Sequence, residues 1–110
     1  MKLAGLFLVL AVTAPAASCT RRIDVSCDVE WLGMCHEWLQ RTPLERRELK
    51  EAVCHKSDER FSEQRCRRDG ALGSCELEGE RTFFYRGRVP AGFDAAATCQ
   101  TQRGRWQPTP

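Results

Sequence analysis

The sequence predicts a small disulfide-rich α+β fold in which two short strand–helix units share one core. Three observations predict it. Six cysteines remain in a short chain once an export leader is set aside. The run "RTPLERRELKEAVC" carries helix-start signals followed by helical spacing. The run "GSCELEGERTFFYRG" alternates and turns as a β-hairpin does.

The leader comes first. Lys2 precedes an almost wholly apolar run over residues 3–12, and small residues follow at Ala14, Ala16, Ala17 and Ser18. These are the three parts of a secretory signal. About ten apolar residues are too few to cross a hydrocarbon core of roughly 30 Å as a helix. The cut before Cys19 reads in two ways. "AAS" suits an ordinary secretory peptidase. The four residues Ala16, Ala17, Ser18 and Cys19 also resemble the lipobox of bacterial lipoproteins, with Ala16 where leucine is commonest. In that family the thiol receives a diacylglycerol, the peptidase cuts before it, and the new amine is often acylated too. The resemblance implies that Cys19 is lipidated. Thr20 after it resembles the pattern that Gram-negative cells send on to the outer membrane.

On this reading residues 1–18 are a signal peptide and residues 19–26 a lipid-anchored tether. Residues 27–110 form a single cysteine-rich domain. Seven extended residues past Cys19 reach at most about 25 Å, so the domain is expected close to the membrane face.

Cysteine arithmetic agrees with this division. Seven cysteines cannot all pair within one chain. With Cys19 set aside, Cys27, Cys35, Cys54, Cys66, Cys75 and Cys99 can close three disulfides, in any of fifteen connectivities. Such bonds persist in an oxidising compartment. A domain this small buries little apolar area, and each bond adds about 2–4 kcal/mol by constraining the unfolded chain.

Charge excludes one class of partner. Without Lys2 the chain holds sixteen basic and fifteen acidic side chains. That mixed surface is not a nucleic-acid footprint, and the densest basic stretch, "RCRRDG", is closed by an acid.

The cysteines fall into two rounds. Cys27, Cys35, Cys54 and Phe61 are spaced 8, 19 and 7; Cys66, Cys75, Cys99 and Trp106 are spaced 9, 24 and 7. "GMC" matches "GSC", and "ELKEAVC" matches "FDAAATC". Candidate repeat units therefore span 27–61 and 66–106. With its lipobox, G-x-C units, cysteine-ended helices and C-x6-[FW], the chain resembles small uncharacterised cysteine-rich bacterial lipoproteins of myxobacterial type. The first round departs from that pattern, since "DERF" has no glycine before the aromatic. The resemblance implies no biochemical role.

In the first round "GMCHEWL" is expected as a strand with Trp38 or Leu39 buried. A helix follows over 43–55. Thr42 caps it, Glu45 completes a capping box, and Pro43 stands at its first position. Leu49, Ala52 and Val53 share one face and are expected to bury. In the second round a hairpin spans 74–86 with its turn at Gly79. Pro90 and Gly92 then redirect the chain into a helix over 94–100, capped by Asp94 with Phe93 in a staple position. Pairing Cys35–Cys54 and Cys75–Cys99 within the units, with Cys27–Cys66 between them, is one arrangement. Sequential pairing through Cys54–Cys66 is another, and the spacing does not choose.

No pattern calls for a catalytic residue, cofactor or metal. His36 and His55 each adjoin a cysteine, but neither C-x2-C nor H-x3-H occurs. Glu76, Glu78 and Glu80 alternate across a turn, where carboxylates keep an edge strand soluble. Phe83, Phe84 and Tyr85 are consecutive, so on a strand they cannot all point to one face. Either both faces are packed, or a ring faces outward. In the second case Arg81, Phe83, Phe84, Tyr85, Arg86 and Arg88 form a candidate interaction patch. The expected function is a non-enzymatic cell-envelope lipoprotein, structural or protein-interacting. Its partners are the lipid bilayer through acylated Cys19 and an envelope protein or glycan. The alternatives are a secreted disulfide-rich effector or enzyme inhibitor, and a small envelope hydrolase.

Overall fold

The computed structural model describes residues 21–109. The leader and Cys19 lie outside the described residues. Strand β1 (Ile23–Val29) leads through a 3-10 turn (Glu30–Leu32) to β2 (Met34–Arg41). Helix α1 (Pro43–Glu48) continues into a π turn (Leu49–Val53), and β3 (Glu59–Ser62) follows. Then come β4 (Ala71–Leu77), β5 (Glu80–Tyr85), α2 (Ala95–Thr101) and β6 (Arg105–Pro108). The strands form one sheet in the order β3-β1-β2-β5-β4-β6, with every neighbouring pair antiparallel.

That order is a palindrome. Each half is a hairpin, a helix, and a short strand returning to the hairpin's first strand. The register makes the likeness residue by residue. Cys27 lies between Phe61 on β3 and His36 on β2. Cys75 lies between Trp106 on β6 and Thr82 on β5. The structural counterparts are therefore Cys27 and Cys75, Phe61 and Trp106, His36 and Thr82. Cys66, matched to Cys27 by spacing alone, belongs instead to the connector between the halves. The matching segments are "SCDVE" at 26–30 and "SCELE" at 74–78. The first half begins at Ile23, so β1 takes in residues 23–26 that the sequence reading gave to the tether. Any tether past Cys19 is correspondingly shorter.

Two unlike faces result from strand alternation. On one face Val25, Cys27, Val29, Trp38 and Cys54 form a core beneath α1, with Leu49 and Phe61 packed against it. Cys75, Phe84, Ala95 and Cys99 form its counterpart beneath α2, with Trp106 alongside. Cys35, Cys66, Ala71, Phe83 and Tyr85 cluster on the other face, under the connector 63–70.

The disulfides follow this parity. Cys27 pairs in register with His36, so Cys35, one residue away, points to the opposite face. Helix α1 lies on the first face and supplies Cys54; the connector lies on the second and supplies Cys66. The bonds are Cys27–Cys54, Cys35–Cys66 and Cys75–Cys99. Of the expected pairings only Cys75–Cys99 forms; Cys35–Cys54, Cys27–Cys66 and Cys54–Cys66 do not. Loops of 24 to 31 residues correspond to roughly 3.5 kcal/mol each in the chain-entropy treatment.

The capping signals act as expected. Thr42 Oγ1 accepts from the Glu45 N–H at 3.2 Å, and Glu45 Oε1 accepts from the Thr42 N–H at 2.8 Å. Asp94 Oδ1 accepts from the Ala97 N–H at 3.0 Å. The apolar face of α1 departs from expectation. Leu49 reaches the core, but Ala52 is exposed and Val53 is 49% exposed. The π turn, closed by Cys54 N–H donating to the Leu49 carbonyl at 2.9 Å, widens the helix and turns both outward. Cys54 is the residue this rotation delivers to the sheet. Phe93, just before the Asp94 cap, packs its ring at a tilt against Phe84, with centroids 5.6 Å apart.

Candidate functional site

The candidate interaction patch is corrected by β5's position as an inner strand. Phe83, Phe84 and Tyr85 are 5%, 3% and 3% exposed, so both faces of the strand are packed. Phe84 lies between Phe93 and Trp106, 5.6 and 6.0 Å away. On the opposite face the Arg68 guanidinium covers the Phe83 ring at 4.5 Å and Arg67 covers Tyr85 at 4.9 Å. Tyr85 Oη donates to the Arg67 carbonyl at 2.7 Å. Burial raises the Tyr85 pKa above its ordinary value. Of the proposed rim, Arg86 and Arg88 are exposed, while Arg81 turns toward Glu37 and Glu76 at 3.8 and 3.9 Å.

The arginines converge on a residue that sequence reasoning passed over. Glu37 is fully buried at the centre of the connector face. Its Oε1 accepts from the Cys66 N–H at 2.8 Å and from Arg68 Nη1 at 2.6 Å; its Oε2 accepts from Arg68 Nη2 at 3.1 Å. A buried charge is tolerated when it is paired and its lone pairs are filled, as here. Chemically the arrangement holds the connector against the sheet beside Cys35–Cys66. Its signal in the sequence was a lone Glu between cysteine and tryptophan on a strand, with arginines crowding Cys66.

The expected solvating carboxylates do not converge. Glu76 pairs with Arg81 on the connector face, Glu78 is exposed in the turn, and Glu80 lies on the helix face beside His36 and Trp38. A glycosidase-type pair needs two carboxyl groups flanking one bond, and Glu76 and Glu80 lie on opposite sides of a sheet. His36 Nδ1 and Thr82 Oγ1 share a hydrogen bond of 2.9 Å, and His55 is exposed. Cys27, Cys54 and Glu59 lie close together, but the two sulfurs are bonded to each other and offer no thiolate.

The most exposed aromatic among the described residues is elsewhere. Trp31 stands 62% exposed on the β1–β2 turn. The tight 3-10 turn sends Leu32 inward and Trp31 outward. Gly33 closes it with φ of 66°, its Cα packed against the Arg88 backbone. Around the ring, Glu30, Ser57, Asp58 and Arg60 line a shallow recess of about 360 Å³. Glu30 is held between Arg88 at 3.6 Å and Arg60 at 4.0 Å. An exposed tryptophan rimmed by arginine is the residue combination that carries binding energy at protein contacts. "EWLG" became readable as a turn only once β1 was recognised as a strand. No helix among the described residues is long and apolar enough to cross a membrane. In comparisons with known families, curated proteins and solved structures, nothing matches the chain.

Proposed function

We propose that this chain is a non-enzymatic lipoprotein of the cell envelope, anchored through acylated Cys19, and that it acts as an interaction module. The carrying observation is the complete internal pairing of Cys27, Cys35, Cys54, Cys66, Cys75 and Cys99. None is left over for Cys19, which follows an export leader and a lipobox-like stretch. The likeness to cysteine-rich lipoproteins of myxobacterial type and Thr20 at the position after the anchor support an outer-membrane address. The short step from Cys19 to the first strand supports a domain held near its membrane, with Trp31 as the contact residue for an envelope protein or glycan.

The test is mass analysis of the mature amino-terminal peptide after palmitate labelling, with cell fractionation beside it. The expected product starts at Cys19, carries acyl chains and sediments with membranes, while Cys19→Ser is recovered in the soluble fraction. Wild-type protein in the medium with an unmodified Cys19 would overturn the proposal and favour a secreted effector or inhibitor.

A further inference from the structure

The anchored end of the sheet has a surface of its own. Ile23, the first residue of β1, is paired with Arg41, the last of β2, so α1 starts beside the point where the chain leaves the anchor. Arg46 clasps the two together: its Nη1 donates to the Arg21 carbonyl at 3.0 Å and to the Arg41 carbonyl at 2.8 Å. On the outer side of the same helical turn, Leu44 is 60% exposed. Arg47, one turn on from Leu44, and Arg21 and Arg22 beside the clasp are exposed as well.

The charges there are sorted. Asp24 is bound by Arg65 at 2.8 Å, Glu63 by Arg46 at 3.3 Å, and Glu45 is engaged in the capping box. Arg21, Arg22 and Arg47 have no carboxylate within salt-bridge distance among the described residues. Glu48, one turn on from Leu44, is exposed and without a basic partner within salt-bridge distance among the described residues, and Arg22 Nη1 donates to the Gln40 carbonyl at 3.2 Å, so three guanidiniums stand against one unpaired acid around this helical turn. Glu78 also reaches this end on the β4–β5 turn, where it shares a shallow recess with Arg103 and Arg105.

We infer that this end seats directly on the bilayer, Leu44 entering the interface and Arg21, Arg22 and Arg47 binding the phosphates of anionic phospholipids. The inference rests on acylation of Cys19. Only three residues lie between Cys19 and Ile23, so an extended chain holds the start of β1 within about 14 Å of the acylated sulfur's residue. At that range the end bearing Leu44 stays against the lipid surface, and arginines near an anionic surface are attracted to it. A partly exposed leucine flanked by cations is the side-chain pair such an interface accepts. The strands then stand up from the membrane. Trp31, at the other end of the seven-residue β1, is carried about 20 Å or more above Leu44's level.

The experiment uses the acylated full-length mature protein in vesicles of phosphatidylcholine and phosphatidylglycerol that contain brominated acyl chains. Bromine quenches tryptophan at the acyl boundary. In Leu44→Trp the added emission should be quenched, while the native emission of Trp31, Trp38 and Trp106 should not. The triple variant Arg21→Gln, Arg22→Gln, Arg47→Gln in the Leu44→Trp background should shift the balance of seated to lifted protein by roughly tenfold or more at low salt. Replacing phosphatidylglycerol by phosphatidylcholine should do the same. An acylated Leu44→Trp protein without quenching, or wild-type protein quenched as strongly as the variant, would overturn the seating while leaving the lipoprotein reading intact. An unacylated Cys19 by mass would remove both.

Discussion

His36 and Thr82 face each other across the centre of the sheet, joined by a hydrogen bond of 2.9 Å between Nδ1 and Oγ1. They are also counterparts in the two halves, so the approximate twofold axis of the fold passes between them. Around it Glu37 pairs with Arg81 and Cys35 with Phe83, two positions that exchange under the same rotation. The axis explains why the two central strands pair antiparallel and why each helix lies on the same face.

Burial of His36 pushes its pKa below the ordinary value of 6.5, and the charges of Glu80 and Glu59 only partly oppose this. The unfolded chain therefore takes up the proton first as pH falls. Stability is unaffected above about pH 7.5 and declines below about pH 6.5, until the folded histidine also titrates. His36→Gln should flatten that part of the profile. The check is the urea midpoint against pH; identical losses in wild type and variant would assign the decline to other groups.

Peptide mapping without reduction should recover Cys27–Cys54, Cys35–Cys66 and Cys75–Cys99. Replacing Cys35 and Cys66 together by alanine should lower stability by about 2–4 kcal/mol and speed hydrogen exchange at the Cys66 amide. A mapped Cys27–Cys66 link would contradict the parity of the two sheet faces.

Arg68 and Arg67 are neighbours with unequal duties. Arg68→Ala leaves Glu37 with one N–H and a guanidinium at 3.8 Å. A pair buried on both sides costs about 3–5 kcal/mol to break, but Arg68 is 41% exposed, and water reduces the expected loss to about 2 kcal/mol. Arg67→Ala removes only its stacking on Tyr85 and a 3.3 Å bond to the Asp69 carbonyl, about 0.5–1 kcal/mol. Denaturant unfolding of the two variants compares them directly, and equal losses would remove the special role of Glu37.

Gly33 and Gly70 both have left-handed backbones, with φ of 66° and 78°. A methyl group on Gly70 meets nothing within 4 Å; one on Gly33 would lie 2.5 Å from the Arg88 carbonyl carbon. Gly70→Ala should therefore cost about 1–2 kcal/mol and Gly33→Ala a further ~1–3 kcal/mol. Only the latter should change Trp31 fluorescence, since it displaces Arg88 from Glu30. Thermal unfolding followed by tryptophan emission reads both effects.

Local signals were legible without a structure. Helix caps need only neighbours in the chain, so the starts of both helices were readable from the Thr42-x-x-Glu45 capping box and the Asp94 cap. Alternation and Gly79 located the β4–β5 hairpin for the same reason. The six cysteines past Cys19 allowed three bonds, but partners depend on which face each sulfur takes. That depends on strand register, which is a property of two segments at once. The same dependence hid Trp31's exposure and the burial of Phe83, Phe84 and Tyr85. Until β1 was known to pair with β2, residues 23–26 resembled a tether, and "SCDVE" had no visible reason to match "SCELE". Sequence alone thus determined six cysteines past Cys19 that can close three bonds, two capped helices and a hairpin. Tertiary structure decided which cysteines meet and which aromatic reaches solvent, because the face a strand residue occupies is set by its partner strands and by what packs over them.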